Sequence, residues 1–418
     1  MNDIFEPQAI ANARNAITQA VSAIQETEIR RVCQAGGYRL AKDLISPINL
    51  PEAPLSAMDG YSFHSACLDK VAPISHITLG VTGKSLAGHG LEGSASPDTA
   101  VRIFTGARVP AAHDTVVAQE LVRPAATNPL AIEFDGRAIQ PGANVRQAGE
   151  DLRKGLSILK QGTGIGAREI ALLSSIGIDT VEVFRQTRVA VLSSGDELCE
   201  TGQVRTEGKI FDANRPMLLE LIRSRSVQAI DCGIVKDDPD TLRAAIIAAA
   251  NKADVVITSG GVSVGEADHT KAVMQSLGEI SFWKLAIKPG RPLAAGWVAD
   301  SQGRRVPFFG LPGNPVAAFV TFKAIVEPCI ERISGGNPSP TPSIRARLAS
   351  DTKKAPGRTE FLRCALKRDA NGEWLAEIAA SQGAASIKSL VDADGLVVLP
   401  HEAGPLVAGT PVDVIVLR

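Results

Sequence analysis

Asp196, Glu197, Asp237, Asp238 and Asp268 all fall on loops that follow short apolar runs, and Lys284, Lys288 and Arg291 lie within a single eight-residue stretch. Carboxylates in this number offer only oxygen. That suits a hard cation such as Mg²⁺, which keeps several waters and bridges to substrate phosphates. Taken singly the acids have plainer readings: Asp238 caps the helix opened by Pro239, and Glu197 is a solvated surface group. For Asp238 the cap and the ligand stand level; for the set, a ligand role is favoured. The three cations, stiffened by Pro289 and Pro292, suit a phosphate or other oxyanion, with two point charges beside one guanidinium fork. A solvated basic loop is the alternative. The chemistry implied is transfer at a phosphate- or oxyanion-bearing substrate, with a metal and without a covalent protein nucleophile.

These residues need elements to bring them together. Residues 193–197 follow an apolar run at 189–192, and 236–239 follow 229–235. Ser259-Gly260-Gly261-Val262-Ser263 follows 255–258, and Gly310-Leu311-Pro312-Gly313-Asn314-Pro315 follows 306–309. Helical patterns come next at 239–251 and 316–333. This is the rhythm of an open α/β sheet, whose ligands bind outside the carboxyl ends of its strands. Ser259–Ser263 offers consecutive backbone N–H groups as an anion nest, and 310–315 offers a second cradle.

The whole chain bounds the reading. Its 418 residues are 44% hydrophobic and 21% charged, enough for several domains. Lys+Arg 44 against Asp+Glu 45 leaves no global field for nucleic acid or an anionic membrane. Six scattered cysteines without a C-x-x-C pair suit a reducing compartment. The first residues lack the basic and apolar regions of a signal peptide, and no apolar run approaches the ~20 residues of a membrane span, so a cytoplasmic location is expected. Ile10, Ile17, Val21, Ile24 and Ile29 predict an amphipathic helix across 8–32. The expected fold is multidomain α/β plus β. Residues 1–50 and 150–184 form a discontinuous mixed α/β domain, 51–149 an inserted β-rich domain, 185–334 the open-sheet domain, and 335–418 a barrel-like β domain after a Gly/Pro linker.

Several motifs are weaker than they look. Gly83-Lys84-Ser85 lacks the upstream glycine of a P-loop. Residues 162–167 fit a dinucleotide fingerprint, but a structural turn is favoured because the βαβ context is missing. No histidine spacing suits zinc, and no nucleophile elbow is present.

Longer stretches resemble a known family. SAMDGY (56–61), RIFTG (102–106), NVRQAGED (144–151), SGDEL (194–198), SGGVSVGEAD (259–268), KPGRP (288–292) and GLPGNP (310–315) resemble the MoeA molybdopterin molybdenumtransferases, and the chain is similar to the gephyrin E domain. The resemblance implies an elongated four-domain subunit in a homodimer. The implied reaction inserts molybdate into the dithiolene of adenylylated molybdopterin, with Mg²⁺-dependent AMP release. Alternatives are a molybdopterin adenylyltransferase and a non-catalytic gephyrin-like scaffold. By resemblance, Asp196, Glu197, Asp237 and Asp268 hold metal and substrate. Lys284, Lys288, Pro289, Arg291, Pro312, Gly313, Asn314 and Pro315 line the pterin and molybdate pocket, beside the turns at Ser194, Gly195, Ser259, Gly260, Gly261 and Ser263. Asp59, Thr105 and Asp151 reach the same cleft from the partner subunit, and Arg358 stands near molybdate. A molybdopterin adenylyltransferase and acceptor molybdoenzymes are the implied protein partners. Ala317 and Ala384 stand where the family carries serine. Ser386 or Ser389 is the available replacement donor.

Overall fold

A computed structural model describes residues 10–69, 76–126, 128–223, 227–260, 275–338 and 342–417. The chain forms two compact units: Met1–Ala41, Gly162–Ile170 and Thr180–Arg418 make one, and Lys42–Gln161 with Ala171–Asp179 the other. No helix among the described residues is long and apolar enough to cross a membrane, and all six cysteines are free thiols.

In the first unit, helix α1 spans Ile10–Ala20 and buries Ala13. The helix expected across 8–32 therefore stops early. Thr27–Arg31 is instead a strand antiparallel to Thr180–Phe184, and Ile29 is 65% exposed. A ladder partner more than 150 residues away overrides the local period there.

The central sheet uses strands β1 (Thr187–Ser194), β2 (Val227–Val235), β3 (Val255–Ser259), β4 (Gly278–Lys284), β6 (Pro292–Ala299) and β7 (Arg305–Leu311), in the order β2-β1-β3-β7-β6-β4. The short strand β5 (Ile287–Lys288) leaves this sheet. Strands β2, β1, β3 and β7 run parallel, while β6 runs antiparallel to both of its neighbours, β7 and β4. Both faces are covered, so the parallel strands read as unbroken apolar runs. Val189, Val191, Val255, Ile257 and Phe309 pack on one face, against helix α2 (Asn214–Arg223) and helices α4 (Pro315–Thr321) and α5 (Glu327–Ile333). Ala190, Leu192, Val256 and Phe308 pack on the other, against helix α3 (Pro239–Lys252). A π-helical turn at Phe322–Val326 joins α4 to α5.

The C-terminal strands β8 (Ser343–Leu348), β9 (Thr359–Arg368), β10 (Trp374–Ile378), β11 (Gly395–Leu399) and β12 (Pro411–Val416) close into a barrel through β9–β11 pairing. Strand β5 adds to its edge, with Lys288 opposite Glu360. The barrel is thus stitched to the loop that carries the predicted cations. Gly335 and Gly336, expected as free linker, instead close α5 by donating to Arg332 O and Glu331 O. Gly162 donates to Leu40 O in a turn, the structural role favoured over a cofactor loop.

The second unit holds a seven-stranded sheet, with Gly60–Phe63, His76–Ser85, Thr99–Ile103, Thr115–Ala118 and Asn128–Asp135 as its main strands. Phe63, Leu79, Ile132 and Phe134 form its core. Gly83, Lys84 and Ser85 pair with residues 91–93 inside this sheet, so their backbone is committed to a ladder rather than to phosphate.

Candidate active site

The parallel register aligns the ends of four strands. Ser193 pairs with Ser259, Ser194 with Val235, and Ser259 with Leu311, so the four expected turns leave one sheet edge at one level. There the Ser194 hydroxyl donates to Asp237 at 2.5 Å, and the Asp237 N–H donates to Asp196 Oδ1 at 3.3 Å. The Glu197 carboxylate folds back over Gly195, 2.6 Å from where a Cβ there would stand. Gly260 sits at φ +90, and a Cβ on it would lie 2.2 Å from the Ser194 carbonyl oxygen. Only glycine lets the turn after β3 come this close to the end of β1. Gly261, Ser263 and Asp268 lie outside the described residues.

Asp238 resolves as a cap: its Oδ2 accepts from the hydroxyl and then the N–H of Thr241, at 2.6 and 2.9 Å, and these bonds hold its carboxyl below the usual range. Among the described residues, no three acidic, histidine or cysteine side chains group tightly enough to cage a metal. That does not conflict with Mg²⁺, which is held by one or two carboxylates plus substrate phosphates and water. The all-oxygen set at Asp196, Glu197 and Asp237 fits it chemically.

Sequence reasoning missed Asn214. Its side-chain amide donates to Ser259 Oγ and to Gly313 O, both at 2.7 Å, and so ties two of the four turns together. Its Oδ1 is buried with no partner. The available signal was a helix start: Asp212 Oδ1 accepts the N–H groups of Asn214 and Arg215, both at 3.1 Å.

Beside this edge opens a cleft of about 370 Å³. Lys288, Pro289, Arg291, Pro312, Gly313, Asn314 and Arg358 line it, together with Gln382. Ala317 and Ala384, the two departures, line it too. Lys284, Pro315 and Ser386 are not among the lining residues. Lys284 ends β4 opposite Pro292, and Pro315 opens α4. The expected N–H cradle at this helix is partly occupied, because the Val316 N–H donates to Ala384 O at 3.0 Å. Lys288 Nζ stands 3.1 Å from Glu360, whose carboxylate is buried. The Ser386 hydroxyl accepts from Ser381, and Ser389 Oγ accepts from the buried Arg363.

In the second unit, Asp59 Oδ1 accepts from both the N–H and the hydroxyl of Thr105 at 2.8 Å. The Thr105 N–H and then its hydroxyl hold the Asp59 carboxyl below its ordinary range. Arg102 stacks beside them, 4.9 Å from the Tyr61 ring and 4.7 Å from Phe104. Asp151 is instead ion-paired with Arg146 at 2.5 Å.

Fold and cleft define an α/β protein in which strand-end turns stand beside a cleft that gathers Lys288 and Arg291 from the β5–β6 segment and Arg358 from the β barrel. Three family models match in chain order: the MoeA N-terminal region (domain I and II) over residues 8–177, a probable molybdopterin binding domain over 190–332, and the MoeA C-terminal region (domain IV) over 345–417. A molybdopterin molybdenumtransferase of Haemophilus influenzae is 38% identical over 408 residues, covering 96% of each chain. Gephyrin of Dictyostelium discoideum is 28% identical over 430 residues, covering 94% of this chain and 60% of its own. The crystal structure of the molybdopterin biosynthesis MoeA protein from Pyrococcus horikoshii superposes with a TM-score of 0.77 at 31% identity, covering 99% of this chain and 100% of that one. The chain belongs to the MoeA family of molybdopterin molybdenumtransferases.

Proposed function

We propose that the chain inserts molybdate into the dithiolene of adenylylated molybdopterin, with Mg²⁺-dependent release of AMP. The observation that carries this is the convergence of Lys288, Arg291 and Arg358 on one cleft beside the strand-end turns. A tetrahedral dianion matches those cations, and charge-assisted bonds are the strong ones. Pro289, Pro312, Gly313 and Asn314 shape the pterin side, with Asn214 fixing the loop. The turns at Ser194, Gly195, Ser259, Gly260, Gly261 and Ser263 hold the substrate's phosphates. Lys284 and Pro315 act at the border of the pocket. Mg²⁺, when bound at Asp196, Glu197, Asp237 and Asp268, supplies neutralising charge at the phosphate bridge.

Ala384→Ser is expected to lower the half-saturating molybdate concentration. One added hydrogen bond is worth ~0.5–1.5 kcal/mol, or about 2- to 10-fold. Neither candidate replacement stands in for it, since Ser386 is not among the lining residues and Ser389 Oγ accepts from Arg363. A titration of rate against molybdate decides this, and an unchanged midpoint in Ala384→Ser, and likewise in Ala317→Ser, removes the oxyanion from this end of the cleft.

The active form is a homodimer in which Asp59, Thr105 and Asp151 serve the partner's cleft. The Asp59–Thr105 pair supports this reading as a charged, exposed patch whose geometry is already fixed. Closed two-fold dimers are the commonest assembly. Mixing inactive Asp59→Ala with inactive Lys288→Ala under subunit exchange is expected to restore activity, because one site in each mixed dimer is then intact. Confirmed exchange without restored activity contradicts the shared site.

A further inference from the structure

Lys354 is buried, at 6% exposure, yet no carboxylate lies within ion-pair reach of it among the described residues. Its ammonium instead donates to three backbone carbonyls: Ala355 O at 3.1 Å, Arg358 O at 2.8 Å and Ala403 O at 3.1 Å. An ammonium has three N–H donors, so its bonding capacity is filled. A buried charge is costly unless paired or fully hydrogen-bonded, and an apolar side chain would fill the space at lower cost. The charge therefore has another use. Two of the three acceptors belong to the turn that carries Arg358 into the cleft. The third belongs to the 400–403 turn, which also accepts the Gly357 N–H through His401 O at 2.9 Å. The far side of the turn is held by the Thr359 N–H on Ala286 O at 2.8 Å.

We infer that Lys354 is a positioning residue for oxyanion capture: it clamps the 355–358 turn so that the Arg358 guanidinium is held at the cleft before substrate arrives. A long, solvent-facing arginine on an unheld turn pays rotamer and backbone entropy on binding, and pre-ordering removes that cost. The inference rests on the proposed molybdate reading of the cleft.

The test is a double-mutant cycle on the full-length protein, reading kcat and half-saturating molybdate in AMP release. Arg358→Ala is expected to raise the molybdate midpoint by roughly 10- to 100-fold, the worth of a charge-assisted bond. Lys354→Met is expected to raise it about 10-fold, as supporting residues around a ligand group do, with a smaller change in kcat. In the Arg358→Ala background, Lys354→Met is expected to add less than about twofold, because residues acting through one group are not additive. Lys354→Gln, which keeps two N–H donors, replaces the methionine variant if thermal melts show that it does not fold. Equal effects in both backgrounds, no effect of Lys354→Met, or unfolding of both Lys354 variants each overturn the inference. An Arg358→Ala protein that titrates like wild type overturns the molybdate reading itself.

Discussion

Lys288→Ala is expected to lower the rate at limiting molybdate by more than about 100-fold. A lost charge-assisted bond alone costs about 1.5–3 kcal/mol, and each 1.36 kcal/mol is about tenfold. A second effect adds to the first. Glu360 is 4% exposed and faces Lys288 at 3.1 Å across the β5–β9 ladder. Without the lysine, a buried carboxylate stands unpaired beside a site meant for a dianion, so the substrate meets repulsion where it met attraction. Lys288→Ala/Glu360→Gln is therefore expected to be faster than Lys288→Ala, although it carries one more change. Steady-state rates across a molybdate series measure this. A double variant no faster than the single one places Lys288 away from the anion.

Asp254→Ala is expected to cost about 1.5–3 kcal/mol of stability, the usual worth of hydrogen bonds to a charged group, because the carboxylate removed is buried while the arginines left behind keep contact with solvent. Asp254 joins α3 to β3, and Arg185 donates to it at 2.7 and 3.0 Å. The Arg188 N–H adds a bond at 2.8 Å, and Arg304 Nη1 stands 3.7 Å away. Burial alone pushes the Asp254 carboxyl up, but the Arg185 bonds and the Arg188 N–H outweigh it and hold the group below its ordinary value of 3.8. The sign follows. A carboxyl with a depressed folded-state pKa contributes stability that is complete above the unfolded value and fades as pH falls through the folded one. The gap between wild type and Asp254→Ala is therefore expected to be widest above about pH 4 and to narrow in stronger acid. Denaturant melts across that range measure it. A gap that widens on acidification contradicts the ion-pair account.

Much of the site was legible because parallel strands buried on both faces write long apolar runs, and their turns write glycine and acid. The level meeting of Ser194, Val235, Ser259 and Leu311 follows from that pattern. Arg358 and Ala384 came from resemblance, since no local pattern says which barrel loop meets a distant sheet edge. Strand β5 was hidden because two residues have no period to read, and its partner lies 72 residues on. Asn214 was hidden for another reason: its amide acts through loops 45 and 99 residues away. Ile29 misled the helix assignment because its spacing fits a helix while its ladder partner, Glu182, makes it a strand.

The most direct measurement combines purified protein, adenylylated molybdopterin and Mg²⁺, and follows AMP release as molybdate is added. The account predicts AMP release that depends on both Mg²⁺ and molybdate, appears together with molybdenum bound to the pterin, and is lost in Lys288→Ala. AMP release that ignores molybdate, or molybdenum insertion that survives Lys288→Ala unchanged, contradicts it.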